Sequence, residues 1–154
     1  MKKILSCALV CLLLAAVCAG CTRSGAEEDA FQPEETLQAL LDSGAFSEDL
    51  EELDPVLLFY LSGDAGDYEG SLLYYSTGAT SETAAVIAAK DAAQADTVKE
   101  TLSAWVDAQI EATRDYQPAE VEKLEHAILE TRGRTVLLVV AADWKTAEKA
   151  IPET

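Results

Sequence analysis

The sequence predicts an α+β domain: an antiparallel sheet of about four strands, with one long helix and shorter helices packed on it. Three observations carry that reading. From about Ala92 to Tyr116 the apolar residues recur at helical spacing. On each side of that stretch lies a pair of β-favouring segments joined by turn residues. One segment, Val136-Leu137-Leu138-Val139-Val140, is apolar on both faces and therefore belongs in the middle of the sheet.

The elements follow in order. Pro33 with Glu34-Glu35 opens a first helix, because proline and acidic residues both suit a first helical turn. Leu37, Leu40 and Leu41 give it an apolar stripe, and Gly44 closes it. Asp54-Pro55 reads as an N-cap followed by proline at the first helical position, so Leu57, Leu58, Tyr60 and Leu61 fall in a short helix that ends near Gly63. Tyr68 to Thr77 alternates Leu72, Tyr74 and Ser76 against Leu73, Tyr75 and Thr77, as a strand does. Glu82 to Lys90 continues as its hairpin partner through Gly78-Ala79-Thr80. In the long helix Val98, Leu102, Trp105, Gln109 and Ala112 share one stripe, while Lys99, Glu100, Asp107 and Glu111 take the other face. Pro118 stops that helix and starts a shorter one carrying Val121 and Leu124. Ala127–Thr131 and Arg134–Ala142 form a second hairpin about Arg132-Gly133, and Asp143 caps a terminal helix through Ile151. On this pattern the helices cover one face of the sheet.

The N-terminus predicts an address. Lys2 and Lys3 precede fourteen residues, Ile4 to Val17, in which Ser6 is the one polar interruption, and Ala19-Gly20 then precede Cys21. A charged start, a short apolar core and small residues at the cleavage point make a secretory signal peptide. The core is short for a membrane span, which takes about twenty residues. Cys18-Ala19-Gly20-Cys21 resembles the lipobox of bacterial lipoproteins, with Cys18 where that pattern usually has leucine. The resemblance implies lipid on Cys21 as the new N-terminus. An uncleaved signal anchor is the alternative, and both readings export the domain. The division is then a lipoprotein signal at residues 1–20, a flexible acidic tether at 21–33, and a single α+β domain at 34–154.

Four cysteines would suggest disulfides in an exported protein, but they are Cys7, Cys11, Cys18 and Cys21. The domain beyond the anchor has no thiol, so neither a disulfide framework nor a thiolate metal site is expected. The 28 acidic and 11 basic residues give a net charge of −17, which becomes −19 once Lys2 and Lys3 leave with the signal. Such a charge argues against nucleic acid, whose phosphates need a basic face, and against flat docking on anionic lipid headgroups. It suits solubility, or the attraction of cations and basic partners.

No catalytic residue, cofactor site or metal site is assigned. His126 is the lone histidine, and no G-x-S-x-G elbow ties a serine to it. Asp64-Ala65-Gly66-Asp67-Tyr68-Glu69 is acidic, but a calcium loop counted from Asp64 places Gly66, Tyr68 and Tyr75 where oxygen ligands should stand. Glu48-Asp49-Leu50-Glu51-Glu52-Leu53-Asp54 reads as a solvated helix face with Leu50 and Leu53 turned inward, or as a surface for a basic partner. Arg132 and Arg134 bracket a turn and could fork onto an anion. Trp105 and Trp144 are expected in the core.

Three segments, Glu82-Thr83-Ala84-Ala85-Val86-Ile87-Ala88-Ala89-Lys90-Asp91, Tyr116-Gln117-Pro118-Ala119-Glu120 with Lys123-Leu124-Glu125, and Gly133-Arg134-Thr135-Val136-Leu137-Leu138-Val139-Val140, resemble a family of small Gram-positive lipoproteins known only as a domain of unknown function (number forty-three fifty-eight). The similarity runs roughly from Glu35 to Ile151, with Thr83 and His126 departing from the isoleucine and asparagine of the pattern. It implies the fold and the lipoprotein character, and no activity or functional residue. The expected function is a lipid-anchored acidic domain on the extracytoplasmic face of the bacterial membrane. It would bind a protein or an envelope component without catalysis. An unrecognised extracytoplasmic hydrolase and an assembly protein acting through a sheet edge are the alternatives.

Overall fold

A computed structural model describes residues 29–78 and 80–153. The predicted signal, Cys21 and the first part of the tether lie outside the described residues. The elements are α1 (Pro33–Asp42), β1 (Glu51–Leu53), α2 (Pro55–Phe59), a short 3₁₀ turn (Ala65–Tyr68), β2 (Leu72–Tyr75), β3 (Thr83–Ala88), α3 (Ala92–Thr113), α4 (Pro118–Glu125), β4 (Ile128–Arg132), β5 (Thr135–Val140) and α5 (Trp144–Ala150). The five strands form one sheet in the order β1-β2-β3-β5-β4, and every neighbouring pair is antiparallel.

The α+β class holds, with one strand more than expected. The extra strand, β1, lies in the acidic run read as a helix face, and its Leu53 pairs with Leu73 at the sheet edge instead of turning inward. Local pattern could not expose it, because Glu51-Glu52-Leu53 is three residues long with no alternation to read.

The central strands β3 and β5 are buried along their whole length. Their side chains therefore divide between two cores. Ala85, Ile87, Val136 and Leu138 face α3 and α4, packing on Val98, Leu102 and Leu124. Ala84, Val86, Leu137 and Val139 face α1 and α5, packing on Leu37, Leu40 and Ala147. Helices thus cover both faces of the sheet, not one as the sequence pattern suggested. A strand apolar on both sides requires this, since either face left bare would expose aliphatic surface worth roughly 25 cal/mol per Å².

Local signals set most boundaries. Asp54, Asp91 and Asp143 each accept a backbone N–H from the first turn of α2, α3 and α5. Proline stands at the start of α1, α2 and α4. The β4–β5 hairpin turns through Gly133 at φ +55, a backbone that glycine adopts without cost. The strand read from Tyr68 is shorter than expected, because Tyr68 closes the 3₁₀ turn and is buried there. Phe31, assigned to the flexible tether by sequence, belongs to the folded body. It is 3% exposed, its N–H donates to Thr135 Oγ1 at 2.9 Å, and the Arg132 guanidinium lies 4.2 Å from its ring centre.

No helix of the described residues is long and apolar enough to cross a membrane.

Candidate functional site

Three distant segments bring a carboxylate–lysine cluster to one end of the sheet. Glu82 stands immediately before β3, where its carbonyl accepts the Ser76 N–H and closes the β2–β3 connection. Glu120 and Lys123 sit three apart on α4, so both project from one side of the helix. Ser47 comes from the loop after α1. Lys123 Nζ donates to Glu82 Oε1 at 2.7 Å and lies 3.0 Å from Glu120 Oε1. Glu82 Oε2 also accepts the Ser47 N–H at 2.8 Å, and Glu120 Oε2 accepts the Ser81 N–H at 2.7 Å. Glu48 extends the polar cluster, accepting hydroxyl hydrogen bonds from Ser76 and Thr80.

Glu82 is fully buried, and the Lys123 side chain is 16% exposed. A carboxylate taken out of water costs several kcal/mol unless paired and hydrogen-bonded, which is what Lys123 and Ser47 accomplish. Burial pulls the Lys123 ammonium toward neutrality, but the hydrogen bonds it donates to Glu82 and then Glu120 outweigh it and hold its pKa above the ordinary lysine value. Two of the Lys123 ammonium hydrogens thus point at carboxylates, and both contacts favour its charged form. Hydrogen bonds from Ser76 and then Thr80 hold the Glu48 carboxyl below its ordinary value.

The residues singled out from sequence are dispersed. His126 is exposed at the end of α4, with Nδ1 2.8 Å from the Glu122 carbonyl oxygen and its ring stacked on Trp144 at 4.8 Å. A carbonyl only accepts, so that contact places the proton on Nδ1. In the acidic loop Asp67 lies 3.5 Å from Lys90, and the buried Tyr68 hydroxyl donates to the Ser62 carbonyl. The acidic run is divided among three roles: Glu48 joins the cluster, Glu51 and Glu52 enter β1, and Asp54 caps α2. Arg132 contacts Glu130 and the Pro152 carbonyl, whereas Arg134 donates to the Ala89 carbonyl, so the two guanidiniums do not converge. Trp105 is half-buried against Phe59 and Tyr75, and Trp144 is half-buried under His126. Among the described residues no group of three or more His, Cys, Asp or Glu is placed to hold a metal ion.

In the sequence, Glu82, Glu120 and Lys123 stand out only as members of the segments that carry the family resemblance. The Glu120–Lys123 spacing is a visible helix pair. That Glu82 would join it from 41 residues away is not a local property.

A family model described as Domain of unknown function (DUF4358) matches residues 60–141, more than half of the chain. The match takes in Glu82, Glu120 and Lys123. No curated protein and no solved structure matches the chain.

Proposed function

The chain belongs to the DUF4358 family, a membership that carries no activity with it, and from that premise we propose that it is an exported, lipid-anchored acidic domain that binds a protein or envelope component without catalysis. The observation that carries the placement is the order of Lys2-Lys3, the apolar Ile4–Val17 and Ala19-Gly20-Cys21. Lipid on Cys21 would hold the domain at the extracytoplasmic face of the membrane, with the residues before Phe31 as its tether.

Two observations favour binding over catalysis. Among the described residues the buried ionisable cluster commits its lysine to two carboxylates, and the exposed histidine, bonded through Nδ1 to a backbone carbonyl and stacked on a tryptophan, has no carboxylate partner. The net charge of −17 also favours a basic or cationic counterpart over nucleic acid. Crosslinking on intact cells that carry the full chain, followed by mass spectrometry, tests this. A partner recovered reproducibly from the outer surface supports the reading. Crosslinks to cytoplasmic proteins alone contradict it.

A further inference from the structure

Exposed large apolar side chains are few among the described residues, and three of them fall within eight positions. Leu53 is 39% exposed, Leu57 73% and Tyr60 87%. Leu57 lies in the short helix α2, and Tyr60 caps the end of that helix three positions on. Leu53 ends the edge strand β1, directly before Asp54 caps that turn. An open groove of about 500 Å³ is lined in part by Leu53 and by Val56, the residue before Leu57, with the acidic Glu52 and Asp54 on its wall.

Tyr60 has a second peculiarity. Its φ is +52, the one positive value at a non-glycine among the described residues. Glycine is the usual occupant of such a helix C-cap, and a side chain with a Cβ is strained there. The chain thus holds an aromatic ring in a disfavoured backbone at a position where the ring contributes little packing. Strain of that kind collects at functional positions.

The chain around the patch is acidic, with Glu52 and Asp54 lining the groove itself. Glu51, Glu52, Asp54 and Asp64 are all exposed. No lysine or arginine occurs between Arg23 and Lys90, so that whole span of chain contributes negative charge alone.

We propose that Leu53, Leu57 and Tyr60, with the β1 edge beside them, form a docking surface for a cationic segment of another protein that carries apolar side chains. Basic residues of that segment would meet Glu51, Glu52, Asp54 and Asp64, while its apolar residues cover Leu57 and Tyr60. The acidic rim also decides against a second copy. Two chains of charge −17 would bring Glu51-Glu52 against like charge, which is how edge strands are kept from pairing with themselves. The proposal rests on the reading of the chain as a binding domain and gives that reading a surface and a partner chemistry.

A fluorescent peptide of about ten residues alternating lysine and valine serves as the probe, titrated into the full chain in uncharged detergent with protein-free micelles as the blank. The expected result is saturable binding that Leu57→Ser with Tyr60→Ser weakens at least about tenfold, because apolar anchors near the centre of an interface dominate affinity. Tyr116→Ser, at an exposed tyrosine on the far side of α3's last turn in sequence, leaves it unchanged. A lysine–serine peptide binds more weakly, and a glutamate–valine peptide does not bind. Absence of binding, or equal loss in the Tyr116 variant, overturns the proposal. So does concentration-dependent dimerisation, seen by sedimentation, that the Leu57 and Tyr60 substitutions abolish, since the occupant would then be a second copy. Leu57 and Tyr60 stand more than thirty residues beyond Cys21, the proposed site of lipid. Lost peptide binding with crosslinking at the outer surface intact therefore overturns this surface and not the proposed function.

Discussion

Lys123 Nζ lies 2.7 Å from Glu82 Oε1, joining α4 to the start of β3 across a fully buried carboxylate. Removing Lys123 leaves the buried Glu82 carboxylate without its counter-charge, whereas removing Glu82 leaves Lys123 with Glu120 alone. Lys123→Met should destabilise the fold by about 3–5 kcal/mol, and Glu82→Gln by less, because Glu120 still meets the ammonium. The double variant should cost less than the sum of the two, because Glu82 is then no longer a buried charge without Lys123, although Glu120 still loses it. Urea unfolding of the three variants checks this. Strict additivity would mean that the pair is not coupled.

The same cluster fixes a pH dependence. Lys123 has a folded pKa above its ordinary 10.5, so its contribution is fully present below that value and is lost as the pH rises through the raised one. Glu48 behaves in the opposite sense. Its folded pKa lies below 4.5, so its contribution is present above that value and is lost as the pH falls through the lowered one. Melting temperatures across pH should show an alkaline decline that Lys123→Met flattens and an acid decline that Glu48→Gln reduces. An alkaline limb unchanged in Lys123→Met would show that another group governs it.

Tyr60 supplies a trade-off. Tyr60→Gly relieves a left-handed backbone at an 87% exposed residue and should stabilise the fold by about 0.5–1 kcal/mol, net of the added freedom of the unfolded chain. The same substitution should weaken the lysine–valine peptide. Denaturant midpoints and the peptide titration, run on one preparation, read both effects. A destabilised variant would mean that the ring packs in a way its exposure does not suggest.

The interior should respond as a close-packed one. Leu138 is fully buried on β5 between β3 and β4, facing the α3 side of the sheet. Leu138→Ala should cost about 2–5 kcal/mol, and Leu57→Ala on the exposed turn close to nothing. Comparable losses at the two sites would contradict the burial described.

Legibility in the sequence tracked the range of the interaction. Asp54 and Asp143 mark helix starts through bonds to residues two or three positions away, Pro55 and Pro118 by a backbone that fits the first turn, and each helix began where they stand. The double-sided hydrophobicity of Val136–Val140 placed β5 centrally, but covering its second face needed α1 and α5, whose own stripes name no partner. β1 was invisible because its glutamates look like any solvated run, and only pairing with Tyr74 and Tyr75 makes it a strand. Phe31 escaped for the same reason, since its burial depends on Thr135 and Arg132, more than a hundred residues on. The Glu82–Lys123 pair likewise depends on how α4 lies against the sheet. Spacing records contacts within a turn of helix and not contacts across the fold.

The central claim is that the chain is carried out of the cell and held there by lipid on Cys21. Metabolic labelling with a clickable fatty acid, comparing the natural chain with Cys21→Ala, tests it most directly. The account predicts label on the natural chain and none on the variant. Label that persists in Cys21→Ala, or a natural chain that never takes it up, would contradict the claim.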